Sequence, residues 1–205
     1  EQIQFTNDIP YKRIIDVEMG LLKYEPKKDE VKSVIHWGQR KLLISEIEFL
    51  TLYGHLSKEV VYVGAAPGTH LPQLARMFPT HHFTLIDPSS FNIKPSTTFD
   101  IRHILFTTKE TKEFKGKNIL FISDIRAGNR DKLSPEEFEQ QVLKDMLMQQ
   151  GWVLAMKPAK SMLKFRFPYF PGETKYLDGD VYLPVWGPVS TTECRLIISG
   201  DKKRQ

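Results

Sequence analysis

Only one cysteine, Cys194, occurs in the 205 residues, which excludes an internal disulfide framework and suits a reducing compartment such as the cytoplasm. No apolar run approaches the roughly 20 residues of a membrane span, and nothing resembles a signal peptide. The expectation is a soluble chain with no membrane partner. The 6 histidines are scattered and lack ligand spacing with the lone cysteine, so no metal site is indicated. Repeats and low-complexity tracts are absent. Charge of one sign is barely in excess: 29 Lys and Arg against 25 Asp and Glu leave +4, a balance that by itself says little about a nucleic-acid partner.

What is present is ordinary globular composition, 40% hydrophobic and 26% charged, at a length that suits one domain with a substantial core. Beginning at Glu1 rather than methionine and ending in the basic Lys202-Lys203-Arg204-Gln205, the chain reads as an excised domain of a longer protein.

The organising stretch is Val60-Val61-Tyr62-Val63-Gly64-Ala65-Ala66-Pro67-Gly68-Thr69-His70. Apolar and β-branched residues run straight into two glycines, the pattern of a buried strand breaking into a tight turn and then a helix. Glycine takes positive φ freely and lets a bound molecule reach the backbone. The spacing fits neither the dinucleotide fingerprint nor a Walker phosphate loop. A second strand, residues 82–86, ends at Asp87, about twenty residues on, where an acid reaches a ribose hydroxyl pair in a doubly wound sheet. Together these make adenosine-binding geometry; simple packing of an α/β turn is the alternative.

Residues 1–37 lack a sustained period and predict an irregular arm with one short helix. From Gly38, the positions Leu42, Leu43, Glu46, Ile47, Phe49, Leu50 and Tyr53 recur at helical spacing. Lys41 lies in the first turn of that helix, the end where a cation is disfavoured, and is either solvated or aimed at a site. A short helix follows over 71–78, then a loop over 88–100, a third strand over 103–106 and a strong buried strand over 118–126. Acids at the carboxyl ends of parallel strands face the ligand crevice, which singles out Asp124. Ser134-Pro135-Glu136-Glu137 opens a helix with a capping box. It runs to about Met156 unless Gly151 ends it, in which case 152–156 form a strand. Strands over 162–167 and 191–199 close the chain, joined by a Pro/Gly/Tyr-rich return over 169–188. The fold class is α/β: a Rossmann-like, mostly parallel central sheet flanked by helices.

Lys157, Lys160, Lys164 and Arg166 stand among aromatics in residues 156–170. Such interleaving holds single-stranded RNA, the bases stacking while cations neutralise phosphates; a strand with merely solvated cations is the other reading.

Gly64-Ala65-Ala66-Pro67-Gly68-Thr69-His70 resembles motif I of the S-adenosylmethionine-dependent ribose 2′-O-methyltransferases of RNA, specifically the poxvirus-type cap methyltransferase and poly(A) polymerase regulatory subunit family. Gly38–Leu43, Ile122–Arg126, Leu163–Arg166 and Glu193–Leu196 resemble further segments of that family, in order. An alcohol is a poor nucleophile, so ribose methylation needs a base and alignment of the reacting atoms. A lysine serves as base only when its pKa is lowered; neighbouring cations lower it and carboxylates raise it. The resemblance implies a tetrad of Lys41, Asp124, Lys164 and Glu193, with Lys164 as general base. Bacterial ribosomal RNA members of the wider superfamily place their lysine where Lys157 stands, which makes Lys157 the competitor.

For the cofactor, S-adenosylmethionine, the resemblance implies Gln39, Tyr62, Gly64, Gly68, His70, Asp87, Asp124 and Ile125, with Asp87 on the ribose and Ile125 beside the adenine. Tyr62 and His70 equally suit core positions. Ser89 stands where the family carries a basic residue. For the methylguanine cap it implies Tyr24 and Tyr169, with Arg166 also on the substrate; the two tyrosines otherwise cover the sheet edge. The family's acid after the second aromatic is not in register in Phe170-Pro171-Gly172-Glu173. The implied organisation is an arm over 1–37, a methyltransferase domain over 38–200 and a basic tail over 201–205. Capped mRNA and a viral poly(A) polymerase subunit are the implied partners, in the host cytoplasm or virion. Methylation of another RNA, such as ribosomal RNA, and a catalytically silent RNA-binding or polymerase-associated subunit are the competing functions.

Overall fold

The computed structural model describes residues 13–15, 18, 37–127, 132–168, 175–183 and 193–200. In chain order the elements are β1 (Ile14–Ile15), α1 (Trp37–Tyr53), β2 (Glu59–Val63), α2 (Leu71–Met77), β3 (His82–Ile86), β4 (Phe99–Arg102), α3 (Thr111–Phe114), β5 (Leu120–Ser123), α4 (Pro135–Met156), β6 (Lys160–Arg166), β7 (Asp180–Tyr182) and β8 (Glu193–Ile198). The strands form one sheet in the order β1-β7-β8-β6-β5-β2-β3-β4. β4, β3, β2, β5 and β6 are parallel, and β8, β7 and β1 continue the sheet antiparallel.

The central strands are apolar on both faces because both faces are covered. Val60, Tyr62, Leu120, Ile122 and Met162 pack with Phe49, Leu50, Leu71 and Leu74 of α1 and α2. Val61, Val63, Phe121 and Leu163 pack with Val142, Met146, Trp152 and Met156 of α4 on the other face. Period-2 alternation thus divides one apolar run between two cores, which is why the strands are legible as continuous hydrophobic stretches.

The third parallel strand is Phe99–Arg102, not 103–106. β4 is an edge strand with one neighbour, so it alternates, Phe99 buried and Asp100 exposed, instead of running apolar. The more hydrophobic 103–106 stretch is loop: Leu105 is 68% exposed, and only Phe106 turns inward, edge-on to Trp152 with ring centroids 5.0 Å apart. α4 passes unbroken through Gly151, so no strand forms over 152–156; the glycine is exposed with open space around it, and its propensity cost of about 1 kcal/mol is spread over a 22-residue helix. Ser134 and Glu137 form the capping box, and Lys157, at φ 53°, ends the helix. β1 and β7 lie in stretches read as irregular, and α3 in a stretch, 107–117, for which no element was expected. The first two are held by pairing across the sheet, Ile14 opposite Tyr182 and Tyr182 opposite Arg195, which local sequence does not carry.

Candidate active site

The order β5-β2-β3 places the topological switch point between β5 and β2, and ligands in such sheets bind beyond the carboxyl ends of the strands. Register lines up those ends. Val63 pairs with Ile86 and with Ser123, and Ser123 pairs with Leu163. One residue further along each strand stand Gly64, Asp87, Asp124 and Lys164, and Lys164 pairs in turn with Arg195 of β8. Five residues from five separate segments thus form one row across the sheet edge.

Gly64 has φ 81°, and a Cβ on it would meet the Asp124 carbonyl carbon at 2.9 Å and the Ile125 nitrogen at 3.0 Å. The glycine is required both by the turn and by the neighbouring strand end. Gly64→Ala is expected to cost about 1–3 kcal/mol of stability through the strained conformation, with displacement of Asp124, read as a lowered urea midpoint. Gly68 also has positive φ, 70°. The Asp87 carboxylate accepts N–H bonds from Ala66 (3.3 Å) and Ser89 (2.8 Å), one on each oxygen. Loop amides thereby orient the acid, and each oxygen retains a lone pair for a ribose hydroxyl. Ser89 serves through its backbone.

Tyr62 is 0% exposed on the α1 face, and its ionisation is pushed well above the usual range, by burial first and then by the Glu46 and Asp124 carboxylates. His70, 7% exposed, turns to α1: its Nδ1 lies 2.8 Å from Gln39 Oε1 and its Nε2 2.9 Å from the Glu46 carboxylate. Thr69 also donates to Gln39 Oε1, at 3.0 Å. Ile125 packs part-buried against the α4-side core.

The four residues of the expected tetrad meet in one cluster, joined by an arginine. Lys164 Nζ lies 3.3 Å from the Asp124 carboxylate, and Lys41 Nζ 3.8 Å from Glu193 Oε2. Arg195 Nη2 lies 3.1 Å from Asp124 and its Nη1 3.1 Å from Glu193. Cross-strand cations such as Lys164 and Arg195 repel when directly opposite; the two carboxylates offset that repulsion. Burial alone would raise the Glu193 carboxyl, but Arg195, Lys164 and Lys41 together bring it down to about 2. A carboxyl depressed from 4.5 contributes stability that is complete above that value and is lost as pH falls through about 2. The urea midpoint of the wild type is therefore expected to fall between those pH values more steeply than that of Glu193→Gln.

Arg195 escaped the sequence reading although a signal existed: in a strand, Glu193 and Arg195 share a face. Glu46 also had one, as a carboxylate inside the apolar stripe of α1. Arg126, which follows Ile125, lies 3.7 Å from Asp145 of α4, and burial pulls its ionisation below the usual arginine value against the opposing pull of Asp145. Asp145, wholly buried, also accepts from the Ala127 N–H (3.1 Å) and Gln141 (3.0 Å). Arg166 is largely buried: its guanidinium donates to Glu139 and to the Phe167 carbonyl (3.1 Å) and lies over the Phe138 ring, bracing β6 against α4. Lys157 sits before β6 begins, at the opposite edge of the sheet from the row. Tyr24 and Tyr169 lie outside the described residues.

A mostly parallel sheet with a glycine turn after its central strand, an acid after the next and helices on both faces is the Rossmann-like methyltransferase fold. Bluetongue virus VP4, a structure described as a multifunctional RNA-capping production line, superimposes with a TM-score of 0.64 over 91% of this chain and 28% of that one, at 15% identity. The chain belongs to the poly A polymerase regulatory subunit family, which it matches over residues 6–205. It is 29% identical over 199 residues to the cap-specific mRNA (nucleoside-2′-O-)-methyltransferase of Myxoma virus (strain Lausanne), covering 86% of this chain. It is 31% identical over 180 residues to the protein of the same name from Fowlpox virus (strain NVSL), covering 78%. The matched part spans 57% of the length of each of these relatives.

Proposed function

We propose that the chain is an S-adenosylmethionine-dependent methyltransferase that modifies the ribose 2′-hydroxyl of the first transcribed nucleotide of capped mRNA. The observation that carries this reading is the row at the sheet edge: a glycine turn, an acid oriented by loop amides and a lysine that contacts Asp124. The cofactor fits the residues present, with Asp87 toward the ribose, Gly64 and Gly68 giving backbone access, Gln39 at the turn and Ile125 offering an apolar flank. When bound, S-adenosylmethionine supplies a methyl group on a sulfonium centre.

The chain's own task is then to align the hydroxyl and take its proton. Lys164, as the free amine, accepts that proton. Asp124 fixes the position of Lys164, and Arg195 holds Asp124 and Glu193 together. With Lys164 protonated, the cluster sets three cations, Lys41, Lys164 and Arg195, against two carboxylates, Asp124 and Glu193; with its amine free the charges balance. Glu193 completes the cluster by pairing with Lys41. The family description supports a poly(A) polymerase subunit as a protein partner, and the viral relatives support action in the host cytoplasm.

The test is methyl transfer from labelled S-adenosylmethionine to RNAs bearing a methylguanosine cap, an uncapped end, or a 2′-O-methyl already at the first nucleotide. Label entering only the capped, unblocked RNA is the expected result. Equal transfer to uncapped RNA would reassign the substrate. No transfer despite measurable cofactor binding would favour a silent subunit.

A further inference from the structure

Beside the charge cluster runs a second set of contacts that shares its helix. Gln39 and Glu46 stand seven residues apart on α1, two turns along one face, and both meet a single side chain, His70, which closes the glycine turn. Lys41 leaves the same two turns toward Glu193. The Glu46 carboxylate is 0% exposed, and a carboxylate so buried is tolerated only when its charge is met. Gln39 Oε1 already accepts from the Thr69 hydroxyl, so His70 Nδ1 faces an acceptor and carries a proton. On its other side, His70 Nε2 lies 2.9 Å from the Glu46 carboxylate.

A buried imidazole held at both nitrogens is fixed in position and in orientation. It cannot turn toward a ligand without leaving Glu46 uncompensated. We infer that the Gln39–His70–Glu46 string is a positioning device, which locks the cofactor turn to the first turns of α1 so that Lys41 is delivered to Glu193 only while the turn holds its ligand-binding shape. His70 is on this inference a positioning residue and not a cofactor contact. The inference rests on the methyltransferase reading for its consequence in catalysis, but its geometric content can be tested without cofactor.

Reductive methylation with ¹³C-formaldehyde makes the lysines of the free chain visible by NMR, and Lys41→Arg assigns the Lys41 signal. His70→Ala and Glu46→Ala are expected to move that signal. Glu46→Gln is expected to leave it in place, because its amide can donate to Nε2 while Nδ1 still donates to Gln39. Thermal unfolding of each variant accompanies the spectra. Should an alanine variant not fold, His70→Gln, which retains a donor toward Glu46 and loses the one toward Gln39, is the variant to read. An unmoved Lys41 signal in folded variants that have lost the string would overturn the inference, since a merely packed histidine has no reason to govern Lys41.

In turnover, His70→Ala is expected to lower kcat about a hundredfold, the scale for a misplaced catalytic group, and to have no further effect in the Lys41→Ala background. Falls that multiply would equally overturn it. Calorimetric titration of the wild type with S-adenosylmethionine separates the two readings: absence of binding rejects the proposed cofactor, while the NMR result still decides the role of His70.

Discussion

Lys164→Ala is expected to lower the rate of ribose methylation by about 10²–10⁴-fold, the contribution of a positioned proton acceptor, while the dissociation constant for S-adenosylmethionine stays nearly unchanged. The separation follows from the row at the sheet edge. Lys164 lies on β6, against Asp124, whereas the glycine turn and Asp87 lie beyond β5 on the far side of the switch point. Removing the amine takes away the acceptor and leaves the cofactor residues standing. Lys164→Arg is expected to be as inactive as the alanine variant, since a guanidinium does not give up its proton near neutral pH. Lys157→Ala is expected to retain activity, because Lys157 ends α4 at the opposite edge of the sheet. Single-turnover rates and calorimetric titrations on the three variants decide the matter. Loss of transfer in Lys157→Ala with Lys164→Ala still active would make the assignment of the base wrong.

Three residues of that row were legible because each sits where a strong local pattern stops, Gly64 after a valine-rich strand and Asp87 and Asp124 after buried strands; Lys164 was reached through the resemblance of residues 163–166, and Arg195 was not reached at all. Patterns of this kind are strong in a doubly covered parallel sheet, where every strand is apolar on both faces. They fail where pairing is one-sided. β4 alternates and was outweighed by the more hydrophobic but largely exposed 103–106; β1 and β7 are two and three residues long and exist through their register with β8. Glycine had two meanings in the sequence, turn and ligand access, and Gly64 adds a third: room for the Asp124–Ile125 backbone of the neighbouring strand. The same limit applies to charge. That Lys41 and Glu193, 152 positions apart, approach to 3.8 Å, and that Arg195 joins both acids, follows from the antiparallel return of β8 beside β6. Arg166, legible as a cation among aromatics, is claimed instead by Glu139 of α4, a partner that no local pattern reveals.

Arg195→Met is expected to destabilise the fold by about 3–5 kcal/mol, the cost of breaking a buried ion pair from one side. Arg195 is 6% exposed and bridges two carboxylates that belong to different strands, so its removal leaves Asp124 and Glu193 facing each other with only the lysines to offset them. Arg195→Lys is expected to recover part of the loss, because a single ammonium lacks the planar fork that reaches both acids at once. Adding Glu193→Gln to Arg195→Met is expected to restore stability relative to the single variant by removing a carboxylate that has lost its nearest cation, a coupling that additive effects would contradict. Activity should respond separately. Loss of a cation beside Lys164 favours the protonated lysine, so Arg195→Met, assayed where it remains folded, is expected to require higher pH for the same fraction of its maximal rate, while Arg195→Lys, which keeps the charge, and the double variant, which loses one charge of each sign, are expected to shift less. Urea titration and pH–rate profiles of the same samples distinguish the two effects. A stable Arg195→Met protein with an unaltered profile would mean that the two acids are held apart by the backbone alone, and that Arg195 contributes neither to the fold nor to the proton balance at Lys164.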